Sequence, residues 1–240
     1  MQIRFIGAAT AALVASTAFA NPGILSGTTS YSDAANDIAN GIATGGGTLD
    51  LLGMEVSHTA TDLVFSLRVN GNVTGNGSVD WGKFMIGIAT GNGSGTTSGN
   101  GWGRPINMSA PNGGMTHWVG SWVDGGGGSQ LWTHGNGSWS GPAGLSGFAF
   151  AGNTITYTVS MASLGLSMGD TFYFDAYSSG GGGGDGAIDA LANPNVSVQG
   201  WGDSYTSGAP NIFSYTIPAP GALALLGVAG IAAGRRSRKA

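Results

Sequence analysis

Cysteine is absent from the 240 residues, so no disulfide staples the fold, no thiol attacks a substrate and no thiolate holds a metal. Positive charge is almost as scarce. Arg4 and the terminal group Arg235, Arg236, Arg238 and Lys239 take five of the eight Lys and Arg, which leaves the body Arg68, Lys83 and Arg104. All twelve acidic residues lie between Asp33 and Asp203, so the body carries −9 where the whole chain carries −4. A nucleic-acid or anionic-lipid surface needs a basic patch, and three scattered cations exclude both partners. Glutamate occurs once, at Glu55, and histidine three times, at His58, His117 and His134, with no HxH or HExxH spacing. The charge-free apolar segment near the C-terminus, Gly221 to Gly234, is shorter than the roughly 20 residues that a membrane-spanning helix usually needs.

The two ends differ from the body. Met1 to Arg4 is followed by a small, apolar stretch to Val14 and then by Ala18-Phe19-Ala20. One basic residue, a short apolar segment and an A-x-A exit make residues 1–20 a secretory signal peptide, with cleavage after Ala20. At the other end, Pro218-Ala219-Pro220 precedes Gly221 to Gly234, which is free of charge, and then the basic cluster that begins at Arg235 and Arg236. As a helix this segment spans about 21 Å, short of the roughly 30 Å hydrocarbon core. It suits a transient stop in a membrane, with the basic end kept inside; a permanent tail anchor is the alternative. The chain therefore divides into residues 1–20, a folded body at 21–216 and a tail at 217–240.

The order of prolines, Gly/Ala/Leu-rich helix and terminal arginines resembles the PEP-CTERM sorting signal of exported bacterial proteins. Ala219 stands where that family's name-giving motif has Glu. The resemblance implies processing by an exosortase-like membrane enzyme, contact with the membrane through the tail beforehand, and a destination at the cell envelope, cell surface or extracellular matrix.

In the body, glycine is extreme at 47 residues, yet seven Trp, nine Phe and six Tyr accompany it. Those aromatics supply burial that a disordered chain lacks. The apolar period is two, and strands are expected at 48–58, 63–70, 84–90, 115–123, 147–151, 154–161, 171–177 and 212–217. Helical turns are expected only at 32–41 and 162–164. Many short strands with Gly-rich turns give an all-β class, an antiparallel, jelly-roll-like β-sandwich with long glycine loops and a short apolar helix at its C-terminus. The run Ile155-x-Tyr157-x-Val159, Leu164-Gly165, Gly169-Asp170-x-Phe172-x-Phe174, Ala187-Ile188-Asp189, Pro194 and Trp201 resembles the DOMON-like β-sandwiches, which include the family 9 carbohydrate-binding modules. That resemblance implies a ligand-binding domain without catalytic residues.

Gly165-Leu-Ser167-Met-Gly169 matches G-x-S-x-G, but a nucleophile elbow needs a helix after the serine. Here Asp170 and an aromatic strand follow, so a loop is expected and no catalytic residue is assigned. Two features remain. Trp102, Trp132, Trp139 and Trp201 have Gly-rich flanks and read as loop residues whose indoles could stack on sugar rings. Core burial is the competing reading, and it leads for Trp81 and Trp118. Asp175, Asp185 and Asp189 flank the Gly180–Gly184 run and could supply oxygens to a structural calcium. No EF-hand or glycine-aspartate repeat is present, so solvated acids are the simpler expectation and no cofactor is required. Together these features suggest a non-catalytic exported module for polysaccharide; a structural matrix protein with no specific ligand is the rival, and a hydrolase comes last.

Overall fold

A computed structural model describes residues 28–42, 47–74 and 82–219. Ala18, Ala20, Trp81, Pro220, Arg235, Arg236 and the expected C-terminal helix lie outside the described residues. Along the chain run β1 (Thr29–Ser32), β2 (Leu51–His58), β3 (Asp62–Val69), β4 (Lys83–Ala89) and β5 (Ile106–Ala110). Next come β6 (Gly113–Gly114), β7 (His117–Trp122), β8 (Gly128–Gly135), β9 (Ser138–Ala143) and β10 (Gly147–Ala151). The series ends with β11 (Thr154–Ser160), β12 (Thr171–Ser179), β13 (Asp189–Ala190), β14 (Tyr205–Gly208) and β15 (Phe213–Thr216). A single 3-10 turn, Ala162–Leu164, separates β11 from β12.

The strands form an all-β sandwich. One sheet has the order β1-β2-β3-β11-β10; the opposing sheet runs β13-β12-β4-β7-β8-β9, with β15 also paired to β12. All pairs in these two sheets are antiparallel. Alternation fills the space between them. Phe65 and Leu67 of β3 and Ile155, Tyr157 and Val159 of β11 meet Phe84, Ile86 and Ile88 of β4 and Phe172 and Phe174 of β12. Each of these side chains is withdrawn from water, at about 1.5–3 kcal/mol for a large apolar residue.

The second sheet is covered on its other face as well. Met85, Ala89, Trp118 and Tyr177 point away from the first core and pack with Ile106, Met108 and Tyr205. The last three belong to a small third sheet of order β14-β5-β6, in which β14 and β5 run parallel. Double burial explains why β4 reads as Phe-Met-Ile-Gly-Ile-Ala and not as an alternation.

The eight expected strands are all present, and the short turn at 162–164 is a 3-10 turn. The helical turn expected at 32–41 is not: β1 occupies its start, and bends and a turn follow. Asn36 takes a left-handed backbone (φ 65°), and its N–H donates to both carboxylate oxygens of Asp50, at 3.1 and 2.9 Å. A tertiary acceptor thus replaces the i→i−4 bond that a helix would have offered.

Candidate functional site

The outer face of the second sheet gathers the tryptophans. β7 and β8 pair Trp118 with Trp132 and Gly120 with Gln130. Trp118 is fully buried, while Trp102, Trp132, Trp139 and Trp201 are half-buried and pack against the same outer cluster. Trp132 and Trp139 are on strands β8 and β9, which corrects the expectation that they sit on loops. The hairpin between those strands turns at Asn136 and Gly137, both with positive φ (52° and 78°). An Asn-Gly turn of this kind is the strongest local hairpin signal, yet periodicity gave no expectation of a strand on either side of it.

Two of the indoles are seated on glycine. A β-carbon on Gly120 would stand 2.3 Å from Cζ2 of Trp102, and one on Gly101 would stand 2.4 Å from Cγ of Trp132. Only glycine allows rings this close to backbone. Trp102 Nε1 and Trp132 Nε1 both donate to Gln130 Oε1, at 2.8 and 3.1 Å. The Arg104 guanidinium lies 5.5 Å from the centre of the Trp102 ring. Its Nη1 donates to Ser179 Oγ (2.6 Å) and the Asp185 carbonyl (3.1 Å), and its Nη2 to the Gly180 carbonyl (3.1 Å). Gly180 in turn underlies Trp201, whose Cζ3 is 2.5 Å from where a β-carbon would be. At the other end, Trp139 meets His134 edge to face, 5.2 Å between centroids.

The result is one continuous strip on one face: Trp139, His134, the Trp132–Gln130–Trp102 group, Arg104 and Trp201. The four indoles and Gln130 are half-buried, whereas His134 and Arg104 are buried and brace the rings from beneath. Half-exposed indoles can stack on the C–H faces of sugar rings, with the Gln130 amide beside them to meet a hydroxyl.

The three acids expected around calcium are not brought together. Asp185 turns inward on its own loop, where its Oδ2 accepts the Gly182 N–H at 2.7 Å. Asp175 is wholly buried on β12; its Oδ1 accepts the N–H of Ala176 (2.8 Å) and Ala192 (3.0 Å), and its Oδ2 accepts the Ser207 hydroxyl (2.5 Å). Asp189 instead meets Asp33 and Asp37, with one oxygen from each within 4.8 Å of the others. Sequence spacing could not show this, because Asp33 and Asp37 lie some 150 residues away on the β1–β2 connection. Burial, with the neighbouring acids, pushes Asp33 up to about 8 and Asp189 up to about 9, and Asp37 is raised for the same first reason.

Burial likewise raises Asp175 to about 7, despite its three donors. A carboxyl raised in the folded state favours the protonated form, so its contribution is complete below the unfolded value of 3.8 and is lost as pH rises to about 7. Across that window the loss is about 4 kcal/mol. Asp175→Asn keeps the Oδ1 acceptor and removes the charge. Urea unfolding should therefore show the variant no less stable than wild type at pH 4 and more stable at pH 8. Equal pH profiles would mean that Asp175 is not the titrating group.

Each histidine is engaged by a hydroxyl or a carbonyl oxygen. His58 Nδ1 bonds the Tyr215 hydroxyl at 2.9 Å, His117 Nδ1 bonds Thr116 Oγ1 at 3.0 Å, and His134 Nδ1 bonds the Ser94 carbonyl. Burial pushes His117 down to about 4. Ser167 lies exposed in the loop after the 3-10 turn, where its N–H donates to Asp170 Oδ2 at 2.8 Å. Glu55 is exposed on β2. Pro218 and Ala219 follow β15 and belong to no element. Among the described residues, no helix is long and apolar enough to cross a membrane.

Compared with known proteins, the chain matches no family model and no curated protein.

Proposed function

We propose that this chain is an exported, non-catalytic β-sandwich module that binds carbohydrate along the outer face of its second sheet. The signal peptide and the PEP-CTERM-like tail address it to the cell surface or matrix, by way of an exosortase-like enzyme. The observation that carries the reading is the strip from Trp139 to Trp201, in which four half-exposed indoles and the Gln130 amide lie on one side of the fold. Four indoles in a row suit an extended polysaccharide better than a single sugar. The acidic body favours neutral glycans, since −9 of net charge repels anionic polymers.

Trp139 offers the cleanest test, because it lies on the edge strand β9 with half-exposed packing. Trp139→Ala should lower affinity for a bound neutral polysaccharide by about tenfold, equivalent to ~1.4 kcal/mol, while the melting temperature stays within 2–3 °C of wild type. Trp132→Ala should weaken binding at least as much. Affinity electrophoresis in polysaccharide gels reads both. If both variants migrate and localise to matrix as wild type does, the structural-protein alternative is correct and the sugar-binding reading is not.

A further inference from the structure

We propose that Asp33, Asp37 and Asp189 form a binding site for one calcium ion, which fastens the β1–β2 connection of the first sheet to β13 of the second. Hydrogen bonds consume only part of the oxygen in this cluster. Asp189 Oδ2 accepts the Leu51 N–H at 2.7 Å and its Oδ1 accepts the Ala190 N–H at 2.8 Å. Asp33 Oδ1 accepts the Ala34 N–H at 2.9 Å. Asp33 Oδ2 and both oxygens of Asp37 are left over; all three are closed to solvent and have no donor. Buried carboxylate oxygens without a partner are costly, and charges taken out of water are ordinarily paired or bound to metal.

No cation among the described residues supplies that pairing. The charged neighbours that act on Asp33 are Asp37, Asp175 and Asp50, and those that act on Asp189 are Asp33 and Asp37. Every one is an acid. The surroundings also hold the loop in place: Asp50 binds the Asn36 N–H and, at 2.7 Å, the Asn70 side-chain amide. Outer-shell contacts of this kind orient ligands from behind.

The donor set selects the ion. Three carboxylates without His or Cys suit a hard cation and not zinc. Calcium binds oxygens at about 2.3–2.6 Å, so two ligands across one ion stand at most about 5 Å apart. The 4.8 Å envelope of the three oxygens fits that span. Magnesium demands about 2.0–2.1 Å and near-octahedral geometry, which a loop-and-strand set with this spread serves less well. Asp189 can serve the ion while keeping its backbone donors, since each carboxylate oxygen has a second lone pair.

The test uses the full chain, stripped with EDTA and dialysed. Calorimetric titration with calcium chloride should give one site per chain, with a dissociation constant between about 1 µM and 1 mM, the range of sensor and extracellular sites. The melting temperature should rise by about 5–10 °C at calcium one hundred times that constant. Magnesium should bind at least tenfold more weakly. Asp37→Asn, with both of its oxygens otherwise unpartnered, should lose calcium binding at least tenfold and melt no lower than wild type in EDTA. A wild-type chain that neither takes up calcium nor shifts its melting would overturn the site and leave protons as the cluster's only compensation. Equal magnesium affinity would overturn the choice of ion, and unchanged binding by a folded Asp37→Asn would overturn the choice of residues.

Discussion

Phe174→Ala is expected to lower the stability of the fold by about 3–5 kcal/mol, the usual cost of truncating a buried Phe to Ala. The side chain has no exposed surface, and four rings surround it. Tyr31 lies at 5.0 Å between centroids, Phe172 and Phe213 at 5.9 Å, and Phe65 at 6.0 Å. Those partners come from β1, β12 itself, β15 and β3, so one ring ties both sheets and a short edge strand together. Collapse around the void is limited because the neighbours are rigid rings set by their own strands, which places the cost toward the upper part of the range. Urea unfolding followed by circular dichroism measures it. A loss below 1 kcal/mol would mean that β1 and β15 do not close over this core as described.

Gly120→Ala should act on the other face, with a loss of about 1–3 kcal/mol from overpacking and at least a tenfold loss of glycan affinity. The new methyl would stand 2.3 Å from the Trp102 ring, and the backbone beneath it is fixed by pairing on both sides, to β4 and to β8. The indole must therefore leave, and with it go the bond to Gln130 and the contact with Arg104. Tryptophan emission should shift to the red as Trp102 becomes hydrated. Gly144→Ala is the control, since nothing stands within 4 Å of the added carbon, and it should change neither emission nor affinity. An unchanged spectrum for Gly120→Ala would remove the central link of the aromatic strip.

The sandwich was legible because its inner strands obey simple rules. Thr154 to Ser160 alternates outward threonine with inward Ile155, Tyr157 and Val159, and β12 carries its aromatics two apart. The third layer was not legible. Nothing local marks β5 or β14 as a cover for the second sheet, and their parallel pairing joins residues about 100 positions apart. Strands β8 and β9 were obscured by glycine and proline, which lower strand propensity; the Asn136-Gly137 turn outweighed both. Trp102 and Trp201 were read as residues of glycine-flanked segments and are in fact seated over glycine, so the same composition that suggested exposure also permits close packing. The acidic cluster shows the limit most clearly. Asp189 stood out beside its glycine loop, but its companions are set by how the two sheets meet, and no spacing rule reaches across that distance.

The most direct test of the sugar-binding claim is calorimetric titration of the purified chain with neutral oligosaccharides of increasing length. Affinity should rise with chain length until the oligosaccharide covers the strip from Trp139 to Trp201, and should fall at least tenfold in the Trp102→Ala/Trp132→Ala double variant. Absence of binding at every length, or equal affinity in wild type and double variant, would contradict it.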